Sequence, residues 1–179
     1  MPDANVLLPL VIFFGMGAAI LWLLWRVVVL GGRARRETAS GVATAEIAHR
    51  SETLLGDLLV VVDEVRRRKV APQDAEPQMA AAQAALQRNV AEATALTRSG
   101  VWASSAVALV ADLERAQRAI EFVSHGAQLL AEVTGVDWGE GETSVKRGYL
   151  NLVHAREAIR ERRETIVQTA QQERKGWHG

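Results

Sequence analysis

The chain has 179 residues, 21 Lys plus Arg against 21 Asp plus Glu, and no cysteine. The missing thiols exclude disulfides, cysteine nucleophiles, CxxCH haem attachment, iron–sulfur clusters and cysteine-based zinc sites. The balanced charge lacks the basic excess of a nucleic-acid binder, so no nucleic-acid partner is expected.

Residues 1–5 form a short amino terminus with Asp3 as its only charge, and residues 6–30 read VLLPLVIFFGMGAAILWLLWRVVVL. The uncharged stretch over 7–25, as a helix, covers about 28 Å, close to the ~30 Å of a bilayer's hydrocarbon core. A single transmembrane helix is expected there. A cleaved signal peptide would begin with basic residues, whereas the cations Arg33, Arg35 and Arg36 follow the run within a basic juxtamembrane segment, 31–38. Cations beside a membrane stay on the cytoplasmic side, which predicts an exported amino terminus and a cytoplasmic remainder in a bacterial inner membrane. Trp22 and Trp25 suit the headgroup boundary, with Arg26 snorkelling outward beside them. Gly15 and Ala19 make a small-residue face on which another membrane helix could pack. Gly31-Gly32 is a candidate hinge.

From residue 37 onward, removing Arg26, Arg33, Arg35, Arg36 and Asp3 leaves 17 cations and 20 acids, a net charge of minus three. Here the pattern is helical, with apolar residues recurring at spacings of three and four. A first helix is expected over 39–69, with Ile47, Leu54, Leu55, Leu58, Val61, Val62 and Val65 inward, broken by Ala71-Pro72-Gln73-Asp74. A second, over 74–98, carries Met79, Ala82, Leu86, Val90, Ala93 and Leu96, and its alanines imply close packing. A third, over 102–134, presents Ala106, Leu109, Val110, Leu113, Ile120, Val123, Ala127, Leu130 and Val133, with Gly126 as a tolerated weakness. Residues 135–142 are expected to be irregular. Thr143 or Ser144 would then cap a fourth helix over 145–173, with Val145, Tyr149, Leu152, Ile159, Ile166 and Ala170 inward. Its other face, Arg156, Glu157, Arg160, Glu161, Arg162, Arg163 and Glu164, reads as solvated. The expected fold is all-α: one amino-terminal transmembrane helix, then an antiparallel, roughly four-helix bundle over 39–175, with coiled-coil-like packing and a flexible end, 176–179.

Chemistry-bearing residues are sparse. His49, His125, His154 and His178 lie on four separate segments; Glu121 with His125, and His154 with Glu157, share helix faces, yet neither spacing matches the Glu-x-x-His pairs of di-iron bundles. No metal or cofactor is expected. Arg66-Arg67-Arg68-Lys69 places four cations at a helix end, where the carbonyl dipoles favour them. Extended straight from the span, that tetrad stands about 50 Å beyond Leu30, out of reach of the same bilayer, which makes it a candidate partner-binding site. Trp138, among Asp137, Glu140 and Glu142, is a second candidate, as a recognition residue or a seal on the bundle's end.

The segment over 49–58, HRSETLLGDL, resembles the arginine-then-Leu-Ile-Pro-Asn-Leu segment of LemA-like bacterial membrane proteins, which share the tethered-bundle architecture. Gly56 stands where that family has proline and the fourth helix lacks its Tyr-Asn pattern, so the resemblance assigns no family. No GxxxxGK, GxGxxG, GxSxG or HExxH motif is present, so no enzyme is expected. The expected function is a membrane-anchored scaffold or accessory subunit that binds the lipid bilayer and a protein partner or a second copy. The alternative is a tethered sensor with a small-ligand cavity, using Trp102, Tyr149 or His154.

Overall fold

A computed structural model describes residues 39–98, 102–132 and 138–176, together with Trp22 and Trp25. By contact the chain divides into two units, Met1–Ala39 and Ser40–Gly179. In the first, Trp22 and Trp25 are helical and exposed. Gly15, Ala19, Arg26, Arg33, Arg35 and Arg36, and the rest of the expected span and juxtamembrane segment, lie outside the described residues. Among the described residues no helix is long and apolar enough to cross a membrane.

The second unit is all-helical, with no strand among its described residues. Helix α1 covers described residues 39–66, α2 Pro72–Leu96, α3 Ala103–Glu132 and α4 Trp138–Gly176. Cross-contacts fix the topology. Arg50 meets Glu92 and Ser51 meets Asn89 between α1 and α2, Met79 meets Ser124 and Gln83 meets Glu121 between α2 and α3. Asp112 meets Arg162 and Phe122 meets Ser144 between α3 and α4, while Glu52 meets Arg163 and Arg66 meets Tyr149 between α1 and α4. In each pair one number rises as the other falls, so every neighbouring pair is antiparallel and the four helices run up, down, up, down around one core.

The apolar stripes close that core as their spacing predicts. Ile47, Leu55, Leu58, Val62 and Val65 of α1, Met79, Leu86 and Ala93 of α2, Leu109, Leu113, Ile120 and Val123 of α3, and Val145, Leu152, Ile159 and Ile166 of α4 are all buried. Leu54, Val61, Val90, Leu96, Val110, Leu130 and Tyr149 pack at its margin.

The ends of α1 and α2 follow local chemistry. Arg68 has φ 60°; its amide donates to Val65 O at 3.0 Å and that of Lys69 to Glu64 O at 2.9 Å. This is a Schellman closure with arginine where glycine is favoured. A left-handed L-residue costs roughly 1–2 kcal/mol, partly offset by glycine's greater freedom when unfolded. Arg68→Gly is therefore expected to stabilise the fold by about 0.5–1 kcal/mol, read as a higher thermal midpoint. Pro72 opens α2, where its missing amide costs nothing.

The fourth helix departs from expectation. It begins at Trp138 rather than after 142, so Gly139 and Gly141 are helical and no cap forms at Thr143 or Ser144. Ser144 instead donates to Phe122 O at 2.9 Å across to α3, and Thr143 donates to Gly139 O at 2.7 Å within its own helix. Gly126, Gly141 and Gly148 serve interhelical contact. A Cβ on Gly126 would lie 2.7 Å from Val145 N and 2.8 Å from Gly141 O; one on Gly148 would lie 2.5 Å from Val123 Cγ2 and 2.9 Å from Val123 N. Gly126 is thus no passive weakness: α3 and α4 touch backbone to backbone there.

Candidate functional site

A polar layer crosses the bundle at one level. Asn89 Nδ2 donates to Ser51 Oγ at 2.8 Å, and that hydroxyl donates to Ile47 O at 2.8 Å, so both buried groups are satisfied. On the α3/α4 side, Asp112 is buried and receives Arg162 at 2.6 Å and Arg115 at 3.1 Å. On the α1/α4 side, Arg163 reaches Glu52 at 3.0 Å and donates to His49 Nδ1 at 3.0 Å. Arg50 and Glu92 close the α1/α2 edge. Arg162 and Arg163, expected on a solvated face, therefore turn inward. The layer ties all four helices at one height. Such a layer rewards only the register in which every member is paired, a positional constraint that apolar packing alone lacks.

Above that level lies an exposed apolar band centred on α4. Val60 of α1 is 61% exposed, Leu150 and Val153 of α4 are 49% and 36%, and Phe122 of α3 is 42%. Val60 and Val153 line one shallow groove between α1 and α4, together with Leu59 and Tyr149. Leu150 sits three residues before Val153 and three after Arg147, whose guanidinium lies 6.0 Å from the Phe122 ring centroid. The four therefore follow one another around α4, rimmed by Arg156, Glu157 and Arg67.

The basic tetrad is exposed and wraps the α1–α2 turn. Arg66 donates to Asp63 at 2.6 Å and lies 5.1 Å from the Tyr149 ring centroid; Arg67 reaches the other Asp63 oxygen at 2.7 Å. The Arg66 hydrogen bond holds the Asp63 carboxyl below the usual carboxylate range, and the same bond raises Arg66. Two of the four cations are thus already committed to one acid. Lys69 lines the same groove as Asp63 and Arg67, and Arg68 lies 4.0 Å from Glu142. Trp138 opens α4, and its side chain lies outside the described residues.

The residues expected around a ligand stand apart. Trp102 is buried at one end of the bundle against Gly41, Tyr149 is half-buried beside Arg66 towards the other, and His154 is exposed. His49 and His125 are exposed on separate helices. Among the described residues no three His, Asp or Glu side chains gather into a metal-binding group. The inward polar layer escaped the sequence reading because Ser51 and Asn89 fall within polar stretches, while Asp112 is a lone charge inside the apolar run over 106–113. One signal was present: each sits at helical spacing from core neighbours, Ser51 four before Leu55, Asn89 three after Leu86 and Asp112 three after Leu109.

Compared with protein-family models, with curated proteins and with solved structures, the chain shows no match to any.

Proposed function

We propose that this protein is a membrane-tethered helical bundle that docks a protein partner and performs no catalysis itself. The observation that carries the reading is the set of exposed apolar residues around α4, Val60, Val153, Leu150 and Phe122, with Arg147 against Phe122 and a charged rim, the character of an interaction site. The tether rests on the apolar run over 6–30 and the arginines after it. Together they make a bundle held at the cytoplasmic face of a membrane, presenting α4 to its partner.

Site-specific photocrosslinking in native membranes tests this. A benzophenone side chain at Leu150 or Val153 is expected to give one dominant adduct, whereas the same group at Arg88, exposed on the diagonal helix α2, gives none. The charged pair Leu150→Glu with Val153→Glu removes the adduct without lowering helicity, since both positions are surface ones. An adduct of twice the chain's mass identifies a second copy as the partner. Equal crosslinking from α2 and α4, or none from α4, overturns the reading.

A further inference from the structure

The outer face of α4 carries a pattern that continues past the apolar band. Leu150, Val153, Glu157, Arg160, Glu164 and Val167 are all exposed. They recur at spacings of three and four, so they form one stripe about 26 Å long on a single face of the helix. A spacing that averages 3.5 residues is that of the seam along which two helices wind around each other. The bundle's own core uses a different face of α4, that of Leu152, Ile159 and Ile166, each buried. The stripe is thus a second helix-packing face, turned outward.

The charges beside the stripe show which helix fits it. With Leu150 and Val153 as the first and fourth positions of a seven-residue repeat, Arg156 takes the seventh position and Glu161 the fifth position of the next repeat. In a parallel pair of helices these two positions face each other across the seam. Two copies of α4 running in the same direction therefore set Arg156 of each against Glu161 of the other. In an antiparallel pair with the stripes fully overlapped, seventh positions face each other and Arg156 meets Arg163, a like-charge contact. Over 150–171 the ion pairs among the described residues belong to Arg160, Arg162 and Arg163. Arg156 and Glu161, both exposed, are left for a contact between copies.

The centre of the stripe agrees with the parallel sense. There Arg160 enters the hole formed by residues 157, 160, 161 and 164 of the other copy, three of which are glutamates. Within one chain Arg160 lies 3.1 Å from Glu164 and 3.7 Å from Glu157, so a second copy extends an existing charge network. Charges at a seam fix its register at a cost in stability. Holding both chains in one membrane offsets that cost by raising their effective concentration.

We propose that the occupant of this face is a second copy of the chain, α4 against α4, parallel and in register from Leu150 to Val167. The pairing rests on the reading of α4 as the docking face, and two tethers entering from one membrane fit the parallel sense.

The chain has no native cysteine, so in liposomes holding only the purified full chain an introduced cysteine can bridge only to its counterpart in another copy. Under a mild oxidant, Val153→Cys and Val167→Cys, about 21 Å apart along α4, are each expected to give a disulfide-linked dimer. Arg88→Cys, exposed on α2, is expected to give none. A parallel pair brings both α4 positions to their counterparts, whereas an antiparallel pair cannot. Arg156→Glu or Glu161→Arg, placed in the Val153→Cys chain, is expected to slow bridging about fivefold, and mixing the two variant chains restores it between them. Bridging at neither or only one of the α4 positions overturns the proposal, as do equal bridging at Arg88→Cys and charge variants that bridge at the unaltered rate. A photocrosslinked adduct at Leu150 whose mass is not twice the chain's also overturns it, yet leaves α4 as the docking face.

Discussion

Gly148→Ala should destabilise the bundle by about 2–3 kcal/mol, although alanine is the better helix former by about 1 kcal/mol. The new methyl would lie 2.5 Å from Val123 Cγ2, 2.9 Å from Val123 N and 3.0 Å from Ala119 O. A side-chain rotamer can yield, but two of those atoms are backbone of α3, so the helices must part. Parting them also opens the Gly126–Gly141 contact, where a Cβ on Gly126 already meets Gly141 O at 2.8 Å. Gly139→Ala is the matched control in the same helix. Nothing lies within 4 Å of its would-be Cβ, so only propensity acts, and the change is expected to be neutral to stabilising by up to about 1 kcal/mol. Urea denaturation followed by circular dichroism reads both. Equal effects from the two glycines would refute the backbone contact.

Asp112→Ala is expected to cost about 3 kcal/mol. Asp112 has only 5% of its side chain exposed, and its removal leaves the Arg162 guanidinium, 31% exposed, without its acid at 2.6 Å. An ion pair broken on one side leaves an uncompensated charge, which is the expensive outcome. Removing both partners is different. Asp112→Leu combined with Arg162→Met is expected to fall within about 1 kcal/mol of the native stability, because well-packed apolar residues commonly match a buried pair. The double-mutant cycle measures this coupling directly. The pair's positional role has its own readout: amide exchange along α3 and α4 should become less uniform in the apolar double variant even where global stability is kept. An apolar double variant as damaged as Asp112→Ala would show that the cost arises elsewhere.

Much of the bundle was legible in the chain itself. Residues such as Leu55, Val62, Leu86, Leu109, Ile120, Leu152 and Ile159 recur at three and four, and a helix must bury such a stripe, so class, helix number and core membership follow from local periodicity. Helix ends were less legible. Residues 138–142 contain two glycines, which in isolation signal a loop, yet α4 runs through both: at Gly141 the neighbouring helix fills the space a Cβ would take, while Gly139 faces open space. Glycine reports only freedom; whether that freedom serves a turn or a close contact depends on what lies opposite.

The same limit applies to charge. Arg160 and Arg162 look alike in a polar run, but one pairs with Glu157 and Glu164 on its own helix, while the other reaches across to Asp112. The basic tetrad is a sequence feature, but its division into Arg66 and Arg67 bound to Asp63 and Arg68 beside Glu142 is not. What the sequence determined by itself is the apolar run over 6–30, the helical class and the inward stripes, because each depends on residues close along the chain. The polar layer, the glycine contact of α3 with α4 and the band around Leu150 were decided only by the tertiary structure. Each joins residues tens of positions apart, which become neighbours once antiparallel packing brings their helices together.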